Sequence, residues 1–176
     1  MEHKQLLTVF NSLPVGIGFF TADGTLVRCN ESFCRIFGAD SQTLLGNKLN
    51  INENSVVPDV VKEAVRRCVP VQMSFLYDFD KQRTDKRFFS TRTRTCYLKC
   101  NGNPLYDNDG KFVNYIFIFE DITETVKSEE VLRQSRRKTE LAMKAANIMF
   151  WEFDAVPKLF YSDNEPLNGY DQSCLL

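Results

Sequence analysis

Apolar residues occupy every second position in several segments of the first two thirds of the chain. The clearest segment runs from Val71 to Asp80, where only Leu76 interrupts the alternation. Because successive side chains of a strand point to opposite faces, this pattern predicts half-buried strands. Five strands are predicted, over residues 15–21, 25–29, 71–80, 87–100 and 111–120. Asp23-Gly24 predicts a hairpin between the first two, and the last three form an antiparallel meander with a loop over 103–110.

Helical spacing of apolar residues predicts small helices between these strands. Asn30 can cap one of them through its side-chain oxygen, and Gly38 ends it. Pro58 begins a longer amphipathic helix that stops before Pro70. The predicted helices are a lead-in helix over 4–12, the helix between Asn30 and Gly38, a single turn over 41–45 and the amphipathic helix over 58–69. Helices on one face of a five-stranded antiparallel sheet make an α+β fold.

A charged segment without glycine or proline follows the predicted sheet and predicts a long connector helix over 123–146. Its apolar and small residues recur at alternating steps of three and four, which indicates a coiled-coil seam between two chains. The seam positions include Leu132, Thr139 and Ala142. We therefore expect a homodimer that pairs through this helix, the lead-in helix or the outer face of the sheet.

Composition and charge exclude several classes of function. The formal net charge of -1 provides no positive field for nucleic acid, and no apolar run has the length of a membrane span. The N-terminal segment lacks the apolar core of a secretory signal, so we expect a cytoplasmic chain. The six cysteines form no Cys-x-x-Cys pair and are expected to be reduced thiols, and His3 is the sole histidine. We expect no metal site.

The order of these elements resembles the PAS family over about residues 6–123. The short motifs that carry the resemblance are the Asp-Gly hairpin within 16–29, Asn30-Glu31-Ser32-Phe33, Phe37-Gly38, Leu45-Gly46 and Asn101-Gly102-Asn103-Pro104-Leu105. The most specific is Phe119-Glu120-Asp121-Ile122-Thr123 at a strand end before a charged helix. The segment after Thr139 repeats the order helix, strand, strand, capped helix, glycine, and resembles the opening of a second PAS copy.

The resemblance implies a PAS sensor domain over 1–122, a signalling helix over 123–146 and the truncated start of a second PAS domain over 147–176. We expect a fragment of a longer bacterial protein. The family relays signals to an output domain in the same polypeptide, here most similar to a sensor histidine kinase of a two-component system, and the chain itself is expected to carry no catalytic residues. By resemblance Asp121, Ile122 and Thr123 transmit the signal from sheet to helix. A simple N-cap by Asp121 or Thr123 is the alternative reading.

Aromatic side chains of the predicted inner face are candidates for a small-molecule pocket. They are Phe33, Phe37, Phe75, Tyr97, Tyr115 and Phe117. Ordinary core packing is the competing interpretation, although a buried tyrosine hydroxyl at Tyr97 or Tyr115 needs a partner. Neither haem nor a cysteinyl flavin is expected, since residues 58–69 contain no histidine and 46–55 no cysteine. An unidentified small molecule stays open as the ligand.

Two other classes of function remain as alternatives. The first is a ligand-free protein–protein interaction module with a filled core. The second is a small cone-shaped proton-transfer enzyme that uses Tyr77 with Asp78 or Asp80, which is disfavoured because the two aspartates point to the face opposite Tyr77. The basic row over 91–95 is expected to be a solvated face of a strand.

Overall fold

The computed structural model describes residues 2–82, 90–146, 151–154, 159–162 and 165–166. The chain divides into two units, Met1–Val126 and Lys127–Leu176. Among the described residues, no helix has both the length and the apolar character needed to cross a membrane.

An antiparallel sheet organises the first unit, and in the part of that unit which is described it has five strands. They are β1 (Gly16–Phe20), β2 (Leu26–Cys29), β3 (Val71–Asp78), β4 (Thr95–Tyr106) and β5 (Phe112–Asp121). The spatial order is β2-β1-β5-β4-β3, with β5 central and every pair antiparallel. The predicted α+β fold is confirmed.

Helices cover the inner face of this sheet. They are α2 (Glu31–Phe37), α3 (Ser41–Gly46), α4 (Asp59–Arg67) and the short α5 (Phe79–Gln82), while α1 (Glu2–Ser12) precedes β1. Buried aromatic side chains from α2 and the central strands form the core, and the Phe33 and Phe37 rings lie 4.4 Å apart. The lead-in helix α1 reaches the opposite side, where Phe10 packs at 6.0 Å from Phe19.

The side chain of Asn30 connects α1, β1 and α2 through hydrogen bonds. Its Oδ1 accepts hydrogen bonds from the Ile17 and Phe33 backbone N–H groups at 2.8 and 2.9 Å. Its Nδ2 donates to the Phe10 and Val15 carbonyls at 3.0 and 2.9 Å. The predicted cap is confirmed, and because the residue is only 1% exposed, these four bonds satisfy a side chain that burial would otherwise penalise.

Strand β4 departs from the prediction in its position along the chain. It spans Thr95–Tyr106 rather than 87–100; residues 87–89 lie outside the described part, and 90–94 are not strand. The predicted loop over 103–110 shrinks to a turn over 107–110 because β4 continues through Pro104. Pairing with β3 ends at Gly102, so beyond it β4 is an edge on that side. A proline without an N–H group is tolerated in an edge strand.

The exit helix α6 (Thr123–Ala145) agrees with the predicted connector, and none of its residues is buried. Within the described residues of the second unit, β6 (Trp151–Asp154), β7 (Leu159–Ser162) and β8 (Glu165–Pro166) form a small antiparallel sheet in that order. The predicted capped helix and glycine of a second copy fall on residues 163–164 and 167–176, outside the described residues. The division into a sensor, a helix and a second PAS start stays a prediction.

Candidate functional site

Asp121, Ile122 and Thr123 join the central strand to the exit helix, and we call them, with Arg92, the junction. Thr123 donates to Asp121 Oδ1 through its backbone N–H at 3.1 Å and its hydroxyl at 2.5 Å. The hydroxyl oxygen accepts from the Tyr97 N–H at 2.9 Å, and the Ile122 N–H donates to the Tyr97 carbonyl at 2.9 Å. The start of α6 is therefore held to β4 as well as to β5.

Arg92 connects Asp121 to helix α2. Its Nη1 lies 2.9 Å from Asp121 Oδ2 and donates also to the Ile36 carbonyl at 2.9 Å. The guanidinium carbon lies 5.5 Å from the centroid of the Phe79 ring, in cation–π range. One side chain thus contacts the end of α2, the start of α5 and the carboxylate that caps α6.

The electrostatics of Asp121 favour its charged form. Burial would raise the pKa of this carboxyl, but hydrogen bonds from Thr123 and Arg92 outweigh burial and hold the pKa below its usual value. The side chain is 25% exposed and that of Arg92 36% exposed, so water partly screens the ion pair. At neutral pH the junction contains a carboxylate paired with a guanidinium.

The two residues before Arg92 add further hydrogen bonds to the end of α2. Ser90 Oγ donates to the Phe37 carbonyl at 2.7 Å, and the Thr91 N–H and hydroxyl donate to the Gly38 carbonyl at 2.7 and 2.9 Å. Gly38 has a φ of 65°, and a Cβ there would lie 2.7 Å from Arg92 Cγ. We call residues 90–92 the latch segment, because it binds three consecutive carbonyls at the end of α2.

The latch segment was not predicted from the sequence. Residues 91–95 were expected to be a solvated row on a strand. Thr91, Thr93, Arg94 and Thr95 are exposed as expected. The strand assignment was wrong for 91–94, which precede β4, and Arg92 is turned toward Asp121. Alternating Thr and Arg has the period of a strand, but Arg94 adopts a φ of 73°, which breaks extended geometry. The pairing of Arg92 with Asp121 spans 29 residues, and no local pattern encodes it.

A small cavity lies between α2, α4 and the inner face of the sheet. Phe33, Phe37 and Phe75 line it, together with other apolar residues, and no charged side chain is among the described residues of its wall. Its volume is about 20 Å³, which is enough for about one water molecule. Protein side chains therefore fill most of the space between these elements.

Buried polar side chains at this cavity were also missed by the sequence reasoning. The Tyr77 hydroxyl accepts from Asn54 Nδ2 at 3.1 Å and donates to Gln82 Oε1. All three residues are at most 7% exposed. Asn54 lies between α3 and α4 and Gln82 ends α5, and only the fold brings them to Tyr77. Neutral donors and acceptors of this kind can bind a small uncharged molecule.

The other predicted pocket residues do not line this cavity. Tyr115 and Phe117 are fully buried in β5, where the Tyr115 hydroxyl donates to the Val69 carbonyl and burial raises its pKa to about 12. Tyr97 was expected on the inner face, and this was wrong: it is 39% exposed because Cys96 and Leu98 occupy the inward positions of β4. A ligand-binding role for these aromatic residues stays a prediction.

The carboxylates considered for proton transfer have local structural roles. Asp78 accepts from the Lys81 N–H at 2.9 Å, and Asp80 accepts from the Arg94 N–H at 3.2 Å. Neither lines the cavity that holds the Tyr77 hydroxyl. The geometry places no carboxylate of this pair beside the tyrosine.

The predicted dimer seam lies on the exposed surface of α6. Leu132 is 53% exposed, and Thr139 and Ala142 are exposed as well. The nearby Arg133 forms its ion pair with Glu130 on the same helix, at 2.8 Å. The seam residues are available to a partner, and their dimer role stays a prediction.

Comparisons with known proteins agree with this geometry. A family model described as the PAS fold matches residues 10–127. The chain is 21% identical over 157 residues to the probable diguanylate cyclase DgcE of Escherichia coli strain K12, a match that covers 89% of this chain and 14% of that protein. The chain therefore spans a small part of the length of this relative.

Solved structures with low sequence identity share the fold. An RNA-binding light-oxygen-voltage receptor gives a TM-score of 0.58 at 18% identity, over 77% of this chain and 37% of that one. A PAS domain from Colwellia psychrerythraea gives 0.53 at 15% identity, over 70% and 99%. A PAS domain from a two-component sensor histidine kinase gives 0.51 at 14% identity, over 68% and 96%. At such identities the likeness concerns the fold alone.

Proposed function

The chain belongs to the PAS fold family, and from this premise we propose that it senses a cytoplasmic signal and relays it through the exit helix to an output domain. A PAS domain is a sensory module and not itself a catalyst. The proposal therefore places any catalytic step in another domain of the same polypeptide.

The observation that carries the proposal is the continuous path of contacts from the cavity to the exit helix. Helix α2 contributes Phe33 and Phe37 to the cavity wall, and its Ile36 carbonyl is bound by Arg92. The same guanidinium binds Asp121, which caps the first turn of α6. A displacement of α2 would change the hydrogen bonds of Arg92 and hence the support of the exit helix.

A ligand would act by favouring one of two arrangements of this path. A ligand shifts such an equilibrium only as far as it binds one arrangement better. Because the cavity admits about one water, any larger molecule must open it, and the helices that line it are α2 and α4. We propose that the ligand is a small, uncharged molecule that forms hydrogen bonds with Tyr77, Asn54 or Gln82. We propose neither haem nor a cysteinyl flavin as a cofactor.

We further propose that the module works as a homodimer. Exposed apolar residues on α6, including Leu132, and on α1, where Leu6 is 67% and Val9 57% exposed, support this proposal. In a parallel dimer a change at the junction would alter the rotation or register of two α6 helices together. Leu132→Asp is expected to weaken such a dimer.

The output domain is proposed to be a histidine kinase, and a diguanylate cyclase is the second candidate. The second is supported by the similarity to DgcE, which includes 89% of this chain. The coding sequence of the whole gene distinguishes them. A phosphoacceptor histidine in a helix pair, followed by a glycine-rich nucleotide-binding region, would support the kinase, and a different output domain would refute it.

Native mass spectrometry of the purified chain, beside its denatured mass and an absorbance spectrum, tests the sensor proposal. A dimer with a small non-covalent mass would support it. A colourless, ligand-free dimer would support the second candidate function, an interaction module with a filled core. A chain that stays monomeric at micromolar concentration would contradict relay through a paired helix.

A further inference from the structure

Two cysteines lie in contact at the edge of the core. Cys29 is the last residue of β2 and Cys34 lies in the middle of α2, and their sulfur atoms are 3.8 Å apart. Both side chains are partly exposed. A disulfide requires about 2.05 Å between the sulfurs, so an approach of about 1.8 Å would join them.

One of the two thiols lines an open cleft. Cys34 lines an open cleft of about 820 Å³, which is bordered by the end of α2 and by Arg92 and Asp121 of the junction. Cys29 does not line this cleft. The cleft gives a dissolved oxidant a route to Cys34, and Cys29, in contact with it, is the second thiol.

We propose that Cys29 and Cys34 are a reversible thiol–disulfide pair that is oxidised by hydroperoxides. The Cys34 sulfur attacks the terminal oxygen of the hydroperoxide, the O–O bond breaks, and an alcohol or water leaves, which yields a sulfenic acid. The Cys29 sulfur then attacks the sulfenic sulfur, and the S–O bond breaks to release water. Two thiols and one hydroperoxide give one disulfide, one alcohol and one water, and both sulfur atoms together lose two electrons.

The disulfide would act on an element that already contacts the junction. Helix α2 carries Cys34 at its centre, and its final carbonyls are bound by the latch segment. A closer approach of the sulfurs pulls this helix toward the end of β2. The formation of the bond does not depend on the proposed relay, but its effect on α6 does.

The protonation of the pair sets how fast it reacts. The pKa of Cys29 is raised to about 12, mainly by burial and to a smaller extent by the nearby Cys34. Burial also raises the pKa of Cys34. The reactive thiolate is thus a minor species at neutral pH. The rate of oxidation is expected to rise about tenfold for each pH unit between about pH 7 and 9.

Peptide mass spectrometry tests the pair directly, because trypsin cleaves after Arg28 and Arg35 and releases both cysteines in one peptide over 29–35. The folded chain is treated with hydrogen peroxide, free thiols are alkylated, and the chain is denatured and digested. We expect the oxidised peptide to lack both alkyl groups and to be lighter by two hydrogen atoms, with full reversal by dithiothreitol. An irreversible sulfinic acid on Cys34, or a disulfide from Cys34 to another cysteine, would overturn the proposal.

Single substitutions separate the roles of the two thiols. In Cys29→Ser the sulfenic acid at Cys34 should persist and react with dimedone, and in Cys34→Ser oxidation of Cys29 should slow by about tenfold or more. Cys68→Ser is the matched control, since Cys68 is also partly exposed but its sulfur donates to the Val65 carbonyl. Unchanged kinetics in this control support the pair; equal oxidation rates in all three variants would refute it.

Discussion

The ion pair between Arg92 and Asp121 offers a quantitative test of the junction. Arg92→Met keeps an unbranched, largely apolar stem but removes the guanidinium group and with it two hydrogen bonds of 2.9 Å, one to Asp121 and one to the Ile36 carbonyl. Hydrogen bonds to charged groups contribute about 1.5–3 kcal/mol when well buried. Because the two side chains are 36% and 25% exposed, we reduce the expected loss to about 2 kcal/mol in total.

The partner substitution, Asp121→Asn, preserves shape and removes charge. Only one side of the new amide can accept a hydrogen bond, while both Arg92 and Thr123 donate toward this side chain. One donor then faces another, so a loss of about 2 kcal/mol is expected. The double variant removes this conflict and should lose about 3 kcal/mol rather than the sum, which gives a coupling energy of about 1 kcal/mol.

Amide hydrogen exchange in the β5 ladder is the suitable assay for this double-mutant cycle. The sole tryptophan, Trp151, lies in the second unit, so its fluorescence would not report on the PAS fold. Arg133→Met, which breaks an exposed pair with Glu130, is the control and should leave protection in β5 unchanged. A coupling energy below about 0.3 kcal/mol would refute the claim that Arg92 and Asp121 act together.

Four further outcomes follow from the structure. The folded-state pKa of Asp121 lies below 3.8, so the charged carboxylate contributes fully to the free energy of unfolding above about pH 5. This contribution is lost as the pH falls through the folded-state pKa. In urea unfolding, the stability difference between the native chain and Asp121→Asn should therefore be smaller at about pH 3 than at neutral pH. Asn30→Ala removes four hydrogen bonds at a buried position and should cost about 3–5 kcal/mol by the same measurement; a loss under about 1 kcal/mol would contradict the bonding described. Gly38→Ala should destabilise more than Gly110→Ala, because both glycines have positive φ but only the first would place a Cβ against Arg92; equal losses would argue against the latch contact. Leu132→Asp should shift a dimer toward monomer in sedimentation velocity, and an unchanged equilibrium would remove the seam.

The fold was predictable from the sequence because its signals are local. The alternation in β3 places Tyr77 inward and leaves Leu76 50% exposed, as predicted. Asn30 and Gly38 are the predicted cap and end of α2. Each of these features depends on residues within one element or turn, where the period of the pattern and the chemistry of the side chain determine the outcome.

The candidate site was predictable only in part because its contacts are long-range. Asp121 and Thr123 were identified by their motif, but the partner of Asp121 lies 29 residues earlier in a segment with the alternation of a strand. Tyr97 was placed on the wrong face because the inward positions of β4 depend on register with its neighbours. A shift of one residue reverses every side chain of a strand. The polar partners of Tyr77 likewise come from separate elements.

The relay from cavity to exit helix is tested most directly by filling the cavity and observing α6. Val61 lines the cavity and is 1% exposed, so Val61→Leu adds one methylene group at its wall; Val113→Leu, at a 51% exposed site, is the control. We expect Val61→Leu, and not the control, to change amide exchange in the first turn of α6, notably at Val126, and we expect Arg92→Met to abolish this change when it is added. A perturbation confined to the cavity wall, or one that persists without Arg92, would contradict a relay through Arg92.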